Sequence, residues 1–267
     1  MNSISHQTSA KDYIAELAAR GQHHFTSADA RAVLGVSADA TKLALNRLAR
    51  QGRIASPSRG FYVIVPPEYR SLGCLPADQF IPALMVHKQL SYYVGLLSAA
   101  QYYGAAHHRP QEFQVLLEKS RRLVRSGRVR VRYVARKRLK EVAARNFNTP
   151  RGEIRVSTPE ATAVDLAGYP QHAGGLGNVA TVLTELADSI NPQLLPQAAA
   201  TAPLPWAQRL GYVLQFVGAG SIAEPLKNYV NDIVSEHTPL VPGRFLPNAE
   251  RSPAWKIIVN SELTLEA

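Results

Sequence analysis

A single cysteine, Cys74, among 267 residues excludes an internal disulfide and fits a reducing compartment. Apolar runs are short. None approaches the ~18–20 residues that a membrane-crossing helix needs, so a cytoplasmic protein with no membrane partner is expected. The stretch MNSISHQTSAKDYIAELAAR has neither the basic start nor the apolar centre of a secretory signal. Metal-ligand spacing is missing too. His23–His24 and His107–His108 are adjacent pairs, whereas two imidazoles on a helix reach one ion at i, i+4. The glycine-rich HAGGLGN (His172–Asn178) lacks the Lys-Ser/Thr of a P-loop and is not G-x-G-x-x-G, so it reads as a loop. Glu160 and Asp165 stand five apart on one predicted helix, off a common face. The clustered carboxylates of a metal-dependent nuclease do not assemble from this pattern. No catalytic residue, metal or cofactor is expected.

The most localised absence is of acid. From Ser120 to Lys140 there is no Asp or Glu, but there are ten cations: Arg121, Arg122, Arg125, Arg128, Arg130, Arg132, Arg136, Lys137, Arg138 and Lys140. The whole chain carries 30 Lys and Arg against 20 Asp and Glu, so its net charge of +10 resides in this segment. Such an excess points to a polyanion, nucleic acid first. Within the segment RVRVRY alternates strictly, which puts Arg128, Arg130 and Arg132 on one face of a strand and Val129, Val131 and Tyr133 on the other. Arginine forks onto phosphate oxygens in a way lysine does not, and Tyr102, Tyr103 and Tyr133 could add stacking. A solvated face neutralised by distant acids is the plainer reading of the same charges.

Hydrophobic residues make up 46% of the chain, enough for a sizeable core. Helical spacing of Tyr13, Ile14, Leu17 and Ala18 predicts a first helix over 11–19. A second runs over 27–34, capped by Thr26 or Ser27 and closed by Gly35. Ser37 caps a third, which continues to Gln51 and stops at Gly52. RIAS and GFYVIV, joined by a PSR turn, follow as a hairpin. Helix, helix, tight turn, helix, hairpin is the layout of a winged helix-turn-helix over 1–70, with Val33, Leu34, Val36, Leu45 and Leu48 as its small core. The third helix then shows Ser37, Thr41, Lys42, Asn46 and Arg47 to the major groove, where Asn suits adenine and Arg suits guanine. Arg50, Arg53, Ser58 and Arg59 reach phosphates from the helix end and the wing. An amphipathic helical pair with a solvated basic face fits the same pattern.

Residues 71–267 read as a larger mixed α/β domain carrying the basic surface, which makes the fold class α+β. The four prolines between Pro66 and Pro82 suggest a linker or a domain edge. YYVGLLSAAQYYGAA reads as a largely buried helix. EFQVLLEK, RVRVRYVAR and GEIRVST read as strands. TPEATAVDLAG reads as a helix capped by Thr158, opened by Pro159 and stopped at Gly168. Helices are also expected over 176–188 and 206–217, and AWKIIVN as a late strand.

The winged-helix end LARQGRIASPSRGFYVIVPPEY, then YYVGLLSAAQYYGAAHHRPQEFQV, IRVSTPEATAVDLAGY and AWKIIVN, taken in this order, resemble AbiEi-type antitoxins, the regulator half of bacterial type IV toxin–antitoxin pairs. The resemblance implies an N-terminal domain that binds inverted repeats in double-stranded operator DNA and represses its own operon. It implies a C-terminal domain with a basic surface that counters a nucleotidyltransferase-like toxin, a pairing associated with abortive infection and phage defence. Direct contact between the two proteins does not follow from it. The basic surface would then hold DNA backbone or RNA shared with the toxin, and the protein would be a monomer or a DNA-dependent dimer. Two other functions suit the sequence: a winged-helix transcription factor with a ligand-sensing C-terminal domain, or a nucleic-acid-processing enzyme with a winged-helix targeting module.

Overall fold

The computed structural model describes residues 8–105 and 111–265. Among these, the chain begins with α1 (Ala10–Ala19), β1 (His24–Thr26), α2 (Ser27–Leu34), α3 (Ala38–Arg50), β2 (Ile54–Ser58), β3 (Phe61–Ile64) and α4 (Ala77–His87). It continues with β4 (Tyr93–Val94), α5 (Leu96–Ala100), β5 (Phe113–Leu117), β6 (Val124–Ser126), β7 (Val129–Ala135), β8 (Ala144–Thr149), β9 (Gly152–Ser157) and α6 (Pro159–Gly168). It closes with α7 (Leu176–Leu186), α8 (Leu195–Ala200), α9 (Leu204–Phe216), α10 (Gly220–Ile233), β10 (Thr238–Pro239), β11 (Glu250–Ser252) and β12 (Ile257–Val259). The fold is mixed α and β, with three sheets in the orders β1-β3-β2, β6-β7-β5-β4-β9-β8 and β10-β12-β11.

Two compact units result. The first comprises residues 1–90, 121–133 and 148–154, and the second residues 91–120, 134–147 and 155–267. In the first unit, Ser9, Thr26 and Ser37 cap α1, α2 and α3 by accepting backbone N–H groups of the first turn. Thr26 and Asp29 complete a reciprocal capping box. Gly35 ends α2 at φ 63°, a left-handed conformation that a β-carbon disfavours. Tyr13, Ile14, Leu17, Phe25, Ala30, Leu34, Leu45 and Leu48 close on Ile54 and Ile64 to form the core under these helices. The element order is that of a winged helix-turn-helix with an added first strand, β1, which pairs antiparallel with β3.

Several details differ from the sequence reading. Val33 is 48% exposed and does not join the small core. The wing turn is Arg59–Gly60, with Ser58 opposite Phe61. Pro57 and Ser58 remain in β2 because a bulge between Ala55 and Ser58 absorbs the irregular residue. The proline-rich stretch holds most of a helix, α4, with Pro82 inside it. YYVGLLSAAQYYGAA is not one helix. Tyr93 and Val94 form β4, and Gly95 precedes the five-residue α5 and a 3-10 turn, Gln101–Tyr103.

The second unit has its own core, which runs through α5 to α10 and ends on Trp255, Ile257 and Leu263. α6 lies at its centre, with nine of its positions from Pro159 to Ala167 buried. A helix apolar on all sides is an interior helix. Thr158 caps it and Pro159 opens it, as the sequence implies. Gly168 and Gly211 are required by tryptophan. A β-carbon at Gly168 would stand 2.2 Å from the Trp206 ring, and one at Gly211 would stand 2.0 Å from the Trp255 ring.

Candidate nucleic-acid interface

α3 is amphipathic. Thr41, Leu45 and Leu48 are buried, and Lys42, Asn46, Arg47 and Arg50 are exposed on the opposite side. Two expected groove contacts change role. Thr41 is 2% exposed, and its hydroxyl donates to the Ser37 carbonyl at 3.0 Å; it shares the buried i, i+4, i+7 face with Leu45 and Leu48. Ser37 is exposed, but its Oγ accepts the Ala40 N–H at 3.2 Å as the helix cap. Leu43, 60% exposed, lies among the cations of the outward face and is a residue the sequence reading missed. An apolar side chain there suits a thymine methyl group. Arg59 is exposed at the wing tip, while Arg53 and Ser58 are half-buried.

The ten-cation segment does not stay together. Arg121, Arg122, Arg125, Arg128, Arg130 and Arg132 belong to the first unit, and Arg136, Lys137, Arg138 and Lys140 to the second. In the first unit β6 and β7 form a tight hairpin, with Val124 opposite Val131, Arg125 opposite Arg130 and Ser126 opposite Val129. Gly127 opens the two-residue turn at φ 55°, a conformation that glycine at that position permits. β6 packs against the wing strand β2. The hairpin is seated by backbone: Arg128 N–H donates to the Leu72 carbonyl at 2.8 Å. A β-carbon on Gly127 would lie 2.3 Å from that same oxygen.

Burial along β7 alternates. Val129, Val131 and Tyr133 face inward, Arg128 and Arg130 are exposed, and Arg132 is half-buried. Arg125 and Arg130 are cross-strand partners, with β-carbons about 5 Å apart by the geometry of such pairs, an arrangement that destabilises when both carry the same charge. Among the described residues, Arg121, Arg122, Arg125, Arg128 and Arg130 have no carboxylate partner. Tyr133 faces the core rather than a ligand. Burial pushes its phenol up to about 12, and its hydroxyl has no hydrogen-bond partner among the described residues.

In the second unit the basic surface loses a member. Arg136 is 1% exposed, because it serves the core. Its Nε donates to Asp165 Oδ1 at 2.8 Å, its Nη1 to the Lys137 and Thr201 carbonyls and its Nη2 to the Thr201 hydroxyl. Its guanidinium also lies 5.0 Å from the Trp206 ring centre. Tyr93 donates to the other Asp165 oxygen at 2.7 Å. Burial pushes the Asp165 carboxyl above its ordinary value, and the Arg136 charge opposes it. Arg138 is exposed but ion-paired with Glu141. Lys137 and Lys140 are exposed. Glu160 is also structural, accepting the Asn191 N–H at 2.8 Å. In HAGGLGN, Gly174 and Gly175 adopt positive φ before α7, and Asn178 Nδ2 donates to the Ala173 carbonyl. His24 stacks on Phe61. His107 and His108 lie outside the described residues. No helix among the described residues is long and apolar enough to cross a membrane.

What the geometry offers is an exposed cationic helix face, a wing, and a seated arginine hairpin beside that wing, all in one unit. No curated protein matches this chain. The crystal structure of the RV2827C protein from Mycobacterium tuberculosis is similar at a TM-score of 0.67 and 19% identity, covering 93% of this chain and 90% of that one. At that identity the likeness is one of fold. The family model described as transcriptional regulator, AbiEi antitoxin, matches residues 12–65, and that of the AbiEi antitoxin C-terminal domain matches residues 93–216. With both parts present in chain order, the chain belongs to the AbiEi antitoxin family of transcriptional regulators.

Proposed function

We propose that the chain is a DNA-binding antitoxin that represses its own operon from inverted repeats in the promoter and counteracts a nucleotidyltransferase-like toxin. One observation carries the DNA half of this reading. The exposed face of α3, with Lys42, Asn46, Arg47 and Arg50, and the exposed Arg125, Arg128 and Arg130 of the β6–β7 hairpin occur in the same compact unit. A helix in the major groove reads base edges, and cations beside it hold phosphates. Asn46 and Arg47 are the base readers of this pair of roles. Arg50, Arg59, Arg125, Arg128 and Arg130 are the phosphate holders. One α3 per chain and two half-sites per inverted repeat imply two copies on each operator.

The test is a promoter-duplex shift in parallel with a scrambled duplex of equal length. Arg47→Ala is expected to reduce the preference for the promoter by about 1–3 kcal/mol, the worth of one bidentate base contact, while binding to the scrambled duplex changes less. Equal affinity of the unmodified protein for both duplexes, or no effect of Arg47→Ala on selectivity, overturns the reading. The toxin half rests on family membership and is tested by co-expression with a nucleotidyltransferase-like toxin, whose growth arrest the chain is expected to relieve.

A further inference from the structure

Among the described residues, strand β8 ends the six-stranded sheet, so one of its edges carries no neighbour in that sheet. Edges of this kind are usually protected by charge, proline or a bulge. β8 instead carries the half-buried Phe147 two residues from the exposed Arg145, which places both on one face of the strand. The 3-10 turn Gln101–Tyr103 brings two more rings to the same place. Tyr102 lies 5.0 Å from Phe147 between ring centres, and Tyr103 lies 5.6 Å from it, nearly perpendicular. The Arg145 guanidinium carbon stands 4.7 Å from the Tyr103 ring centre and 4.8 Å from that of Phe147. Tyr103 is anchored from below, its hydroxyl donating to the Ser157 carbonyl at 2.5 Å. All these residues belong to the second unit.

Arg145 has no carboxylate partner among the described residues. A long aliphatic stem would be enough to shield the rings from water, and lysine supplies one. Here the planar guanidinium itself lies over two rings, pre-set as a flat cationic surface on an aromatic base. Guanidinium planes and aromatic rings are the surfaces on which unpaired bases stack. A duplex hides its base faces, so it cannot use them.

The geometry points to Arg145, Phe147, Tyr102 and Tyr103 as a stacking platform for unpaired bases of single-stranded RNA, on a unit separate from the operator-reading helix. RNA is the source because its loops and ends are where unstacked bases are displayed for recognition. The platform is independent of the operator reading, since it uses none of the same side chains.

The experiment uses the full chain and a labelled RNA of about twelve nucleotides, within the span of known single-strand sites. A DNA strand of the same sequence and the promoter duplex are measured in parallel by fluorescence anisotropy. Arg145→Lys keeps the charge and removes the planar face. It is expected to weaken RNA binding about tenfold, as loss of one stacked base does, and Phe147→Leu to do the same, with promoter binding unchanged in both. An RNA affinity unmoved by Arg145→Lys overturns the platform, and so does one abolished by neutralising the β6–β7 arginines alone. A DNA strand bound as tightly as the RNA overturns the assignment to RNA. The promoter arm reports separately on the operator reading, and Arg145→Lys, on an exposed side chain, leaves the fold intact, which keeps the test independent of any packing change from the half-buried Phe147→Leu.

Discussion

Arg130 and Arg136 lie six apart in the same basic run, and their surroundings are opposite. Arg130 is exposed. Arg136 is sealed against Asp165, with the two side chains 1% and 0% exposed. A buried ion pair is a weak source of net stability, but breaking one is costly, because the remaining charge is stranded away from water. Asp165→Asn keeps the shape and removes the countercharge. It is expected to destabilise the protein by about 3–5 kcal/mol in urea unfolding, and the pair Arg136→Met with Asp165→Leu is expected to recover most of that loss. If the single change costs nothing, the network does not hold the core. The sequence could not have revealed this partner, which lies 29 residues downstream and is brought in only by tertiary packing. Thr41 is a different case. Its spacing to Leu45 and Leu48 already put it on the apolar face, and polar chemistry distracted from a periodicity that was there to read.

At the scale of elements, those with chemical ends were legible. Caps at Thr26, Ser37 and Thr158, and the stop at Gly35, fix helix ends from local groups alone, whereas Gly168 is still helical and answers to the distant Trp206 ring. Short strands carry little periodicity. The three-residue β1 and two-residue β4 exist because neighbours pair with them, so neither has a local signal. The β6–β7 hairpin was half legible. Its alternation was evident, but its seat beside β2 depends on Gly127 meeting the Leu72 carbonyl, a contact between residues far apart in sequence. Opposed Arg125 and Arg130 repel each other until something anionic lies across them. Replacing Arg125, Arg128 and Arg130 together with Gln is therefore expected to raise hairpin stability slightly and weaken DNA binding. Each lost phosphate contact removes about 0.9 from the log–log salt slope, so the slope should shrink by roughly 2–3, with promoter preference retained. An unchanged slope identifies these arginines as merely solvated.

At the scale of the molecule, the matched spans and the packed units divide the chain differently. The AbiEi C-terminal-domain match runs over residues 93–216 and so contains the hairpin, while the hairpin packs in the unit of the helices and wing. If α3 reads the groove as proposed, the seat of the hairpin in the same unit suits its charges to positioning that helix, because phosphate contacts fix register and orientation on a duplex. On the proposed function, the hairpin is then expected to serve repression, and counteraction of the toxin to draw on the second unit. In cells carrying a promoter reporter and an inducible toxin, the Arg125, Arg128 and Arg130 to Gln variant is expected to derepress the reporter several-fold and still restore growth. Full repression with loss of rescue reverses the assignment: the hairpin would then serve the antitoxin task despite its seat, and the family's span rather than the packing would mark the functional boundary.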